Sequence, residues 1–202
     1  MHRLLGEDRG RKEARRLRQA GVAFQEERFQ EARTALRGLA ELAPEVPEIR
    51  ELYGLTLYRL GRWKEAAVQL EAFRTLSGST EQHPVLTDCY RALGRYHDVD
   101  ALWAELREVS PSAALVVEGR IVVAGALADR GRLSDAVRTL EQGWRPPKKP
   151  REHHLRRAYA LADLYERSGD VPRARELFRW VQHWDPELGE VSSRLRALGA
   201  RT

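Results

Sequence analysis

Gly61-Arg62-Trp63-Lys64-Glu65-Ala66 decides the fold, because the chain repeats it. The pattern returns as Gly94-Arg95-Tyr96-His97-Asp98-Val99, as Gly131-Arg132-Leu133-Ser134-Asp135-Ala136 and as Gly169-Asp170-Val171-Pro172-Arg173-Ala174. A degenerate copy, Glu27-Arg28-Phe29-Gln30-Glu31-Ala32, comes first. Each copy reads as the junction between two helices. Glycine ends the first helix because it enters the left-handed C-cap conformation without strain. The apolar residue two places on tucks the turn under the pair. The small residue three places further lets two helix backbones approach closely.

With that small residue as a marker, the copies sit at Ala32, Ala66, Val99, Ala136 and Ala174, in steps of 34, 33, 37 and 38 residues. Val99 is larger than the alanine it replaces, so the third pair is expected to pack slightly wider. Four residues after the markers come Leu36, Leu70, Trp103, Leu140 and Phe178. Seven after come Leu39, Phe73, Leu106, Gly143 and Val181. These offsets share one face of a helix. Proline follows the second helix at Pro44, Pro111 and Pro186, where a helix must stop.

This pattern resembles the tetratricopeptide repeat family, whose unit is a helix–turn–helix of about 34 residues. The resemblance covers roughly residues 13–186. It implies an all-α, right-handed α-solenoid of about five such repeats, with a C-terminal capping helix to cover the last apolar face. The expected organisation is a loose lead-in over residues 1–10, a five-repeat domain over 11–184 and the cap over 185–202. Where the family has a bulky residue early in the first helix, this chain has Arg16, Arg50, His83 and Arg120. Ser110-Pro111 reads as an N-cap and first-turn proline. The three prolines of residues 144–150 read as a stiff, exposed interruption, with Trp144 at its base and Lys148 and Lys149 in water.

Composition narrows the function classes. Arginine supplies 31 of the 35 basic residues and asparagine is absent, as a GC-rich bacterial genome would produce. The lone Cys89 fits a reducing compartment, and neither an N-terminal apolar run nor a membrane-length window occurs. A cytoplasmic protein is expected. No catalytic constellation, cofactor motif or metal-ligand spacing is present. His153-His154 lacks further ligands at the spacing a metal needs, and Cys89 lacks a nearby base. The expectation is therefore a protein that is not an enzyme and takes no cofactor or metal.

By the resemblance, the first helices of successive repeats line a groove for a peptide or a partner's helix. In this register the groove residues are Leu17 and Phe24 in repeat one and Glu48, Glu51, Leu55, Tyr58 and Arg59 in repeat two. They continue as Asp88 and Arg91 in repeat three, Glu118 and Ile121 in repeat four, and Tyr159, Asp163, Glu166 and Arg167 in repeat five. The full face also takes in Glu81, Asp129 and Arg156, giving eight acids against four arginines, while the chain as a whole carries +5. An acidic face with aromatic contacts favours a basic, partly apolar peptide or helix as partner. The family's chaperone-tail members grip a terminal carboxylate with lysines and asparagines, and this groove has neither. The alternative reading is nucleic-acid binding through the basic segments 9–18 and 144–157, with Trp144 free to stack on a base.

Overall fold

The computed structural model describes residues 7–109 and 111–199, and every regular element among them is helical. Eleven helices follow in order among the described residues. They are α1 (Glu7–Gln25), α2 (Phe29–Leu42), α3 (Pro47–Arg59), α4 (Trp63–Ser77), α5 (His83–Ala92), α6 (Tyr96–Val109), α7 (Ala113–Asp129), α8 (Leu133–Glu141), α9 (Glu152–Arg167), α10 (Val171–Trp184) and α11 (Val191–Gly199). Residues 7–10, expected in a loose lead-in, belong to α1; residues 1–6 lie outside the described part.

The chain divides into two compact units, residues 1–98 and 99–202. In the first, α1 packs on α2 and α3 on α4, while α2 meets α3 and α4 meets α5. In the second, α7 packs on α8 and α9 on α10, α9 touches both α7 and α8, and α11 closes on α10.

The turns behave as their sequences require. In all five, the main-chain N–H at the second turn position reaches back five residues. Arg28 donates to the Ala23 carbonyl at 2.8 Å, Arg62 to Leu57 at 2.9 Å and Arg95 to Tyr90 at 2.8 Å. Arg132 donates to Leu127 at 2.9 Å and Asp170 to Tyr165 at 2.8 Å. This closure needs a left-handed residue between the helices, and glycine supplies it in four copies. In the first copy Glu27 takes the same conformation at φ 58°. The five markers are fully buried, as are Leu36, Leu140 and Phe178 four places on.

Four basic side chains sit against helix ends or in the core beneath them. Arg50 donates from Nε to the Pro44 carbonyl at 2.9 Å. Arg120 reaches the Thr139 carbonyl at 3.1 Å. Arg157 donates to the carbonyls of Leu140 and Gln142, so it ties α9 to the end of α8. His83, at the corresponding place in α5, is buried. Free carbonyls and a negative dipole end make a helix C-terminus a natural seat for a cation. Arg50 and Arg120 fill the place of the family's bulky residue with a stem that packs and a head that bonds, and Arg157 stands one residue before that place.

Residues 143–151 are not helical. Trp144 is half-buried and meets Trp180 edge-on at 5.7 Å, with the Arg157 guanidinium 5.5 Å from its centroid. Lys148 and Lys149 are exposed. The N-cap of α7 is Ser112, whose hydroxyl accepts from the Leu115 N–H at 3.1 Å. It is not Ser110, which lies outside the described residues. The helix therefore starts after Pro111 rather than on it.

Candidate functional site

Two first-helix faces carry the residues singled out by sequence, one on each unit. In the first unit, α1 contributes Leu17 and Phe24, α3 contributes Glu48, Glu51, Leu55, Tyr58 and Arg59, and α5 contributes Asp88 and Arg91. In the second, α7 contributes Glu118 and Ile121, and α9 contributes Tyr159, Asp163, Glu166 and Arg167. All fifteen keep some contact with solvent, and Glu48, Arg59 and Arg167 are the most exposed.

Many of their charges are already engaged across neighbouring repeats. The Tyr58 hydroxyl donates to Asp88 at 2.7 Å, and Arg91 donates to the other oxygen at 3.3 Å. Burial, then the Asp88 bond, push the Tyr58 phenol well above its ordinary range. The Gln82 amide donates to Glu51 at 2.8 Å. Arg59 pairs with Glu27 at 3.1 Å and lies 4.5 Å from the Phe29 ring centroid. In the second unit Arg156 pairs with Glu118 at 2.7 Å. Arg194, on α11, reaches Asp163 at 2.8 Å and Glu166 at 2.7 Å, so the terminal helix neutralises both acids of repeat five.

The acidic bias expected from the sequence thus divides unevenly. In the second unit Glu118, Asp163 and Glu166 each have an arginine. In the first, no ion pair to Glu48, Glu51 or Glu81 occurs among the described residues; Glu51 is held by a neutral amide. Arg194 and Gln82 escaped the sequence reading. Their only signal is a separation of about one repeat from the acid they serve, which identifies contact only once the offset between neighbouring repeats is known.

The second unit also has space. A cavity of about 440 Å³ is lined by Ala114, Glu118, Arg151, Glu152, His153 and Arg156. A second, of about 220 Å³, is lined by Ile121, Arg156, Tyr159, Ala160, Leu188 and Gly189. Arg156 lines both, so a polar compartment adjoins an apolar one. The Tyr159 ring forms the apolar wall, held edge-on against Phe178 at 5.4 Å, and its hydroxyl accepts from the Glu190 N–H at 3.3 Å.

No other chemistry gathers here. Among the described residues no three of His, Cys, Asp and Glu come together as a metal site. The His154 ring accepts from the Arg151 N–H at 3.0 Å, so it serves the start of α9. Burial, then the Asp88 charge, push the Cys89 thiol up to about 12, which leaves it without nucleophilic thiolate at neutral pH. Trp144 is packed against Trp180 rather than free for a nucleobase. No described helix is long and apolar enough to cross a membrane.

The comparisons agree with this architecture. A tetratricopeptide repeat family model matches residues 17–73. No curated protein matches the sequence. Among solved structures, a thermophilic TPR protein of Thermus thermophilus superposes with a TM-score of 0.68 at 17% identity, over 92% of this chain and 98% of that one. The putative kinesin light chain TPR-like repeats of Podospora anserina give 0.64 at 19% identity, over 84% and 93%. The C-terminal part of a TPR repeat-containing protein from Cytophaga hutchinsonii gives 0.61 at 15% identity, over 85% and 66%. Residues 17–73 thus match the tetratricopeptide repeat family by sequence, and the chain shares the fold of these TPR proteins.

Proposed function

We propose that the chain is a non-catalytic adaptor that holds a peptide or helix of another protein on its first-helix faces. The observation that carries this is the pair of adjoining cavities on the second unit, because Glu118, Ile121 and Tyr159 line them. A shallow apolar pocket beside a charged one suits an amphipathic segment, which anchors one side chain and orients by its polar neighbours. On the first unit, Glu48, Glu51 and Glu81 stand without an ion pair among the described residues, which favours a basic, partly apolar segment. Tetratricopeptide folds serve in general as interaction scaffolds, and the inert Cys89 fits work in a reducing cytoplasm.

The test is to place a photo-crosslinking residue at position 160 in cells of the native organism and identify what is captured. The captured partner is then measured against Ala160→Arg, which fills the apolar cavity from a half-buried position. The expected result is loss of the partner with the melting temperature retained. Undiminished binding by Ala160→Arg would overturn the reading.

A further inference from the structure

A third cavity, of about 560 Å³, lies in the first unit between α1 and α2. At helical spacing, Arg15, Gln19 and Val22 share a side of α1 opposite Leu17 and Phe24, and Arg18 flanks it. The cavity therefore belongs to a different surface from the first-helix face. Its lining includes Arg15, Arg18, Val22 and the small residues Ala20, Ala23 and Ala35. Val22 is 49% exposed, an aliphatic side chain standing in water beside the cavity.

The charges around this space are unequal in kind. Arg16 is engaged with Glu13, and Arg28 with Glu26 and Glu31. Arg15 and Arg18 are exposed and have no ion pair among the described residues. Ala20 and Ala23 are buried behind the cavity, half-buried Ala35 leaves room beside it, Val22 offers an apolar contact, and these two guanidiniums frame it.

We propose that this edge of α1 and α2 docks an acidic amphipathic helix of a partner protein. The helix lays its apolar side over exposed Val22 and half-buried Ala35, and its carboxylates meet Arg15 and Arg18, each suited to bidentate pairing. A nucleic acid would use the same arginines. However, no aromatic ring lines the cavity to stack a base, and its floor is apolar, so a helix fits better.

The experiment uses the full chain and a fluorescent, helical model peptide of about 20 residues, with leucine along one stripe and glutamate elsewhere. Controls are the same peptide with lysine for glutamate, and a single-stranded oligouridine. Wild type is expected to bind the acidic peptide, more weakly as salt rises, and not to bind the lysine one through this edge. Arg15→Glu/Arg18→Glu should weaken the acidic peptide by at least about tenfold and strengthen the lysine peptide. Arg15→Gln/Arg18→Gln should fall between, and unchanged circular dichroism and melting in both variants certify the fold. The proposal is overturned if the acidic peptide does not bind wild type or binds the charge-reversed protein equally. It is equally overturned if oligouridine binds through these arginines while the peptide does not. The Ala160→Arg protein should behave as wild type here, which separates this surface from the partner face.

Discussion

Arg157 grips the main-chain carbonyl of Leu140 with two nitrogens, Nε at 3.0 Å and Nη2 at 2.7 Å. The same guanidinium satisfies the Gln142 carbonyl at 2.6 Å, and the residue is 9% exposed. Burial, then the nearby Arg120 charge, pull its pKa down to about 10, so its bonds must hold a cation that its surroundings disfavour. Arg157→Met should destabilise the second unit by about 2–4 kcal/mol, because the carbonyls it serves lose their donors. Arg157→Lys should recover less than half of that, since an ammonium has no fork. Chemical denaturation of the three proteins checks both statements.

The same substitution should act with opposite sign at two glycines. A Cβ at Gly21 would meet nothing within 4 Å, so Gly21→Ala should stabilise by about 0.5–1 kcal/mol through helix propensity. A Cβ at Gly54 would lie 2.7 Å from Leu70 Cγ and 3.3 Å from its main-chain nitrogen. Gly54→Ala should therefore destabilise by about 1–3 kcal/mol. Melting temperatures that move in the same direction would show that the contact between α3 and α4 is misplaced.

Glu27 holds a left-handed conformation that the four other turns assign to glycine. Glu27→Gly should stabilise the first turn by about 1 kcal/mol, the usual penalty for a side chain there. Loss of the exposed pair with Arg59 subtracts only about 0.5 kcal/mol or less. Thermal denaturation reads the difference.

The Tyr165 hydroxyl donates to Glu141 at 2.6 Å, and burial followed by that bond raises the phenol to about 12. A raised pKa means that the folded state keeps a proton the unfolded chain loses. The stability it contributes is complete below pH 10 and disappears between pH 10 and 12. Other phenols titrate at alkaline pH as well, so the decisive comparison is Tyr165→Phe against wild type. The variant should lose less stability across that window in urea melts.

Val191 and Leu198 of α11 are fully buried in one cluster with Phe178 and Val181 of α10. A chain ending at Trp184 should expose that apolar surface. Faster hydrogen exchange in α10 and concentration-dependent light scattering are expected. Unchanged exchange would remove α11 from the role of cap.

The hairpins were legible because their signals are local. A glycine turn and a small marker state their roles within a few residues, and Ala32, Ala66 and Ala174 are buried as that spacing demands. The bonds that span repeats were not legible. Register at the fifth repeat points to Ala158, yet the arginine that caps α8 is its neighbour Arg157, displaced after the non-helical stretch. Arg194 sits in a helix whose sequence announces only an apolar stripe. Its partners Asp163 and Glu166 become visible when α11 is seen to lie as the next first helix would.

The bonds between adjoining first helices also govern how this gene could grow. Suppose the second repeat were duplicated in tandem. The Tyr58 hydroxyl, which now finds Asp88, would face the copy's Leu55, and Glu51 would face Ile49 in place of Gln82. The second hairpin is thus keyed to the third. Recombination that inserts a repeat there would break these matches at the new joint. Lengthening such a chain requires fresh substitutions on both sides of each join, which favours slow divergence over copying.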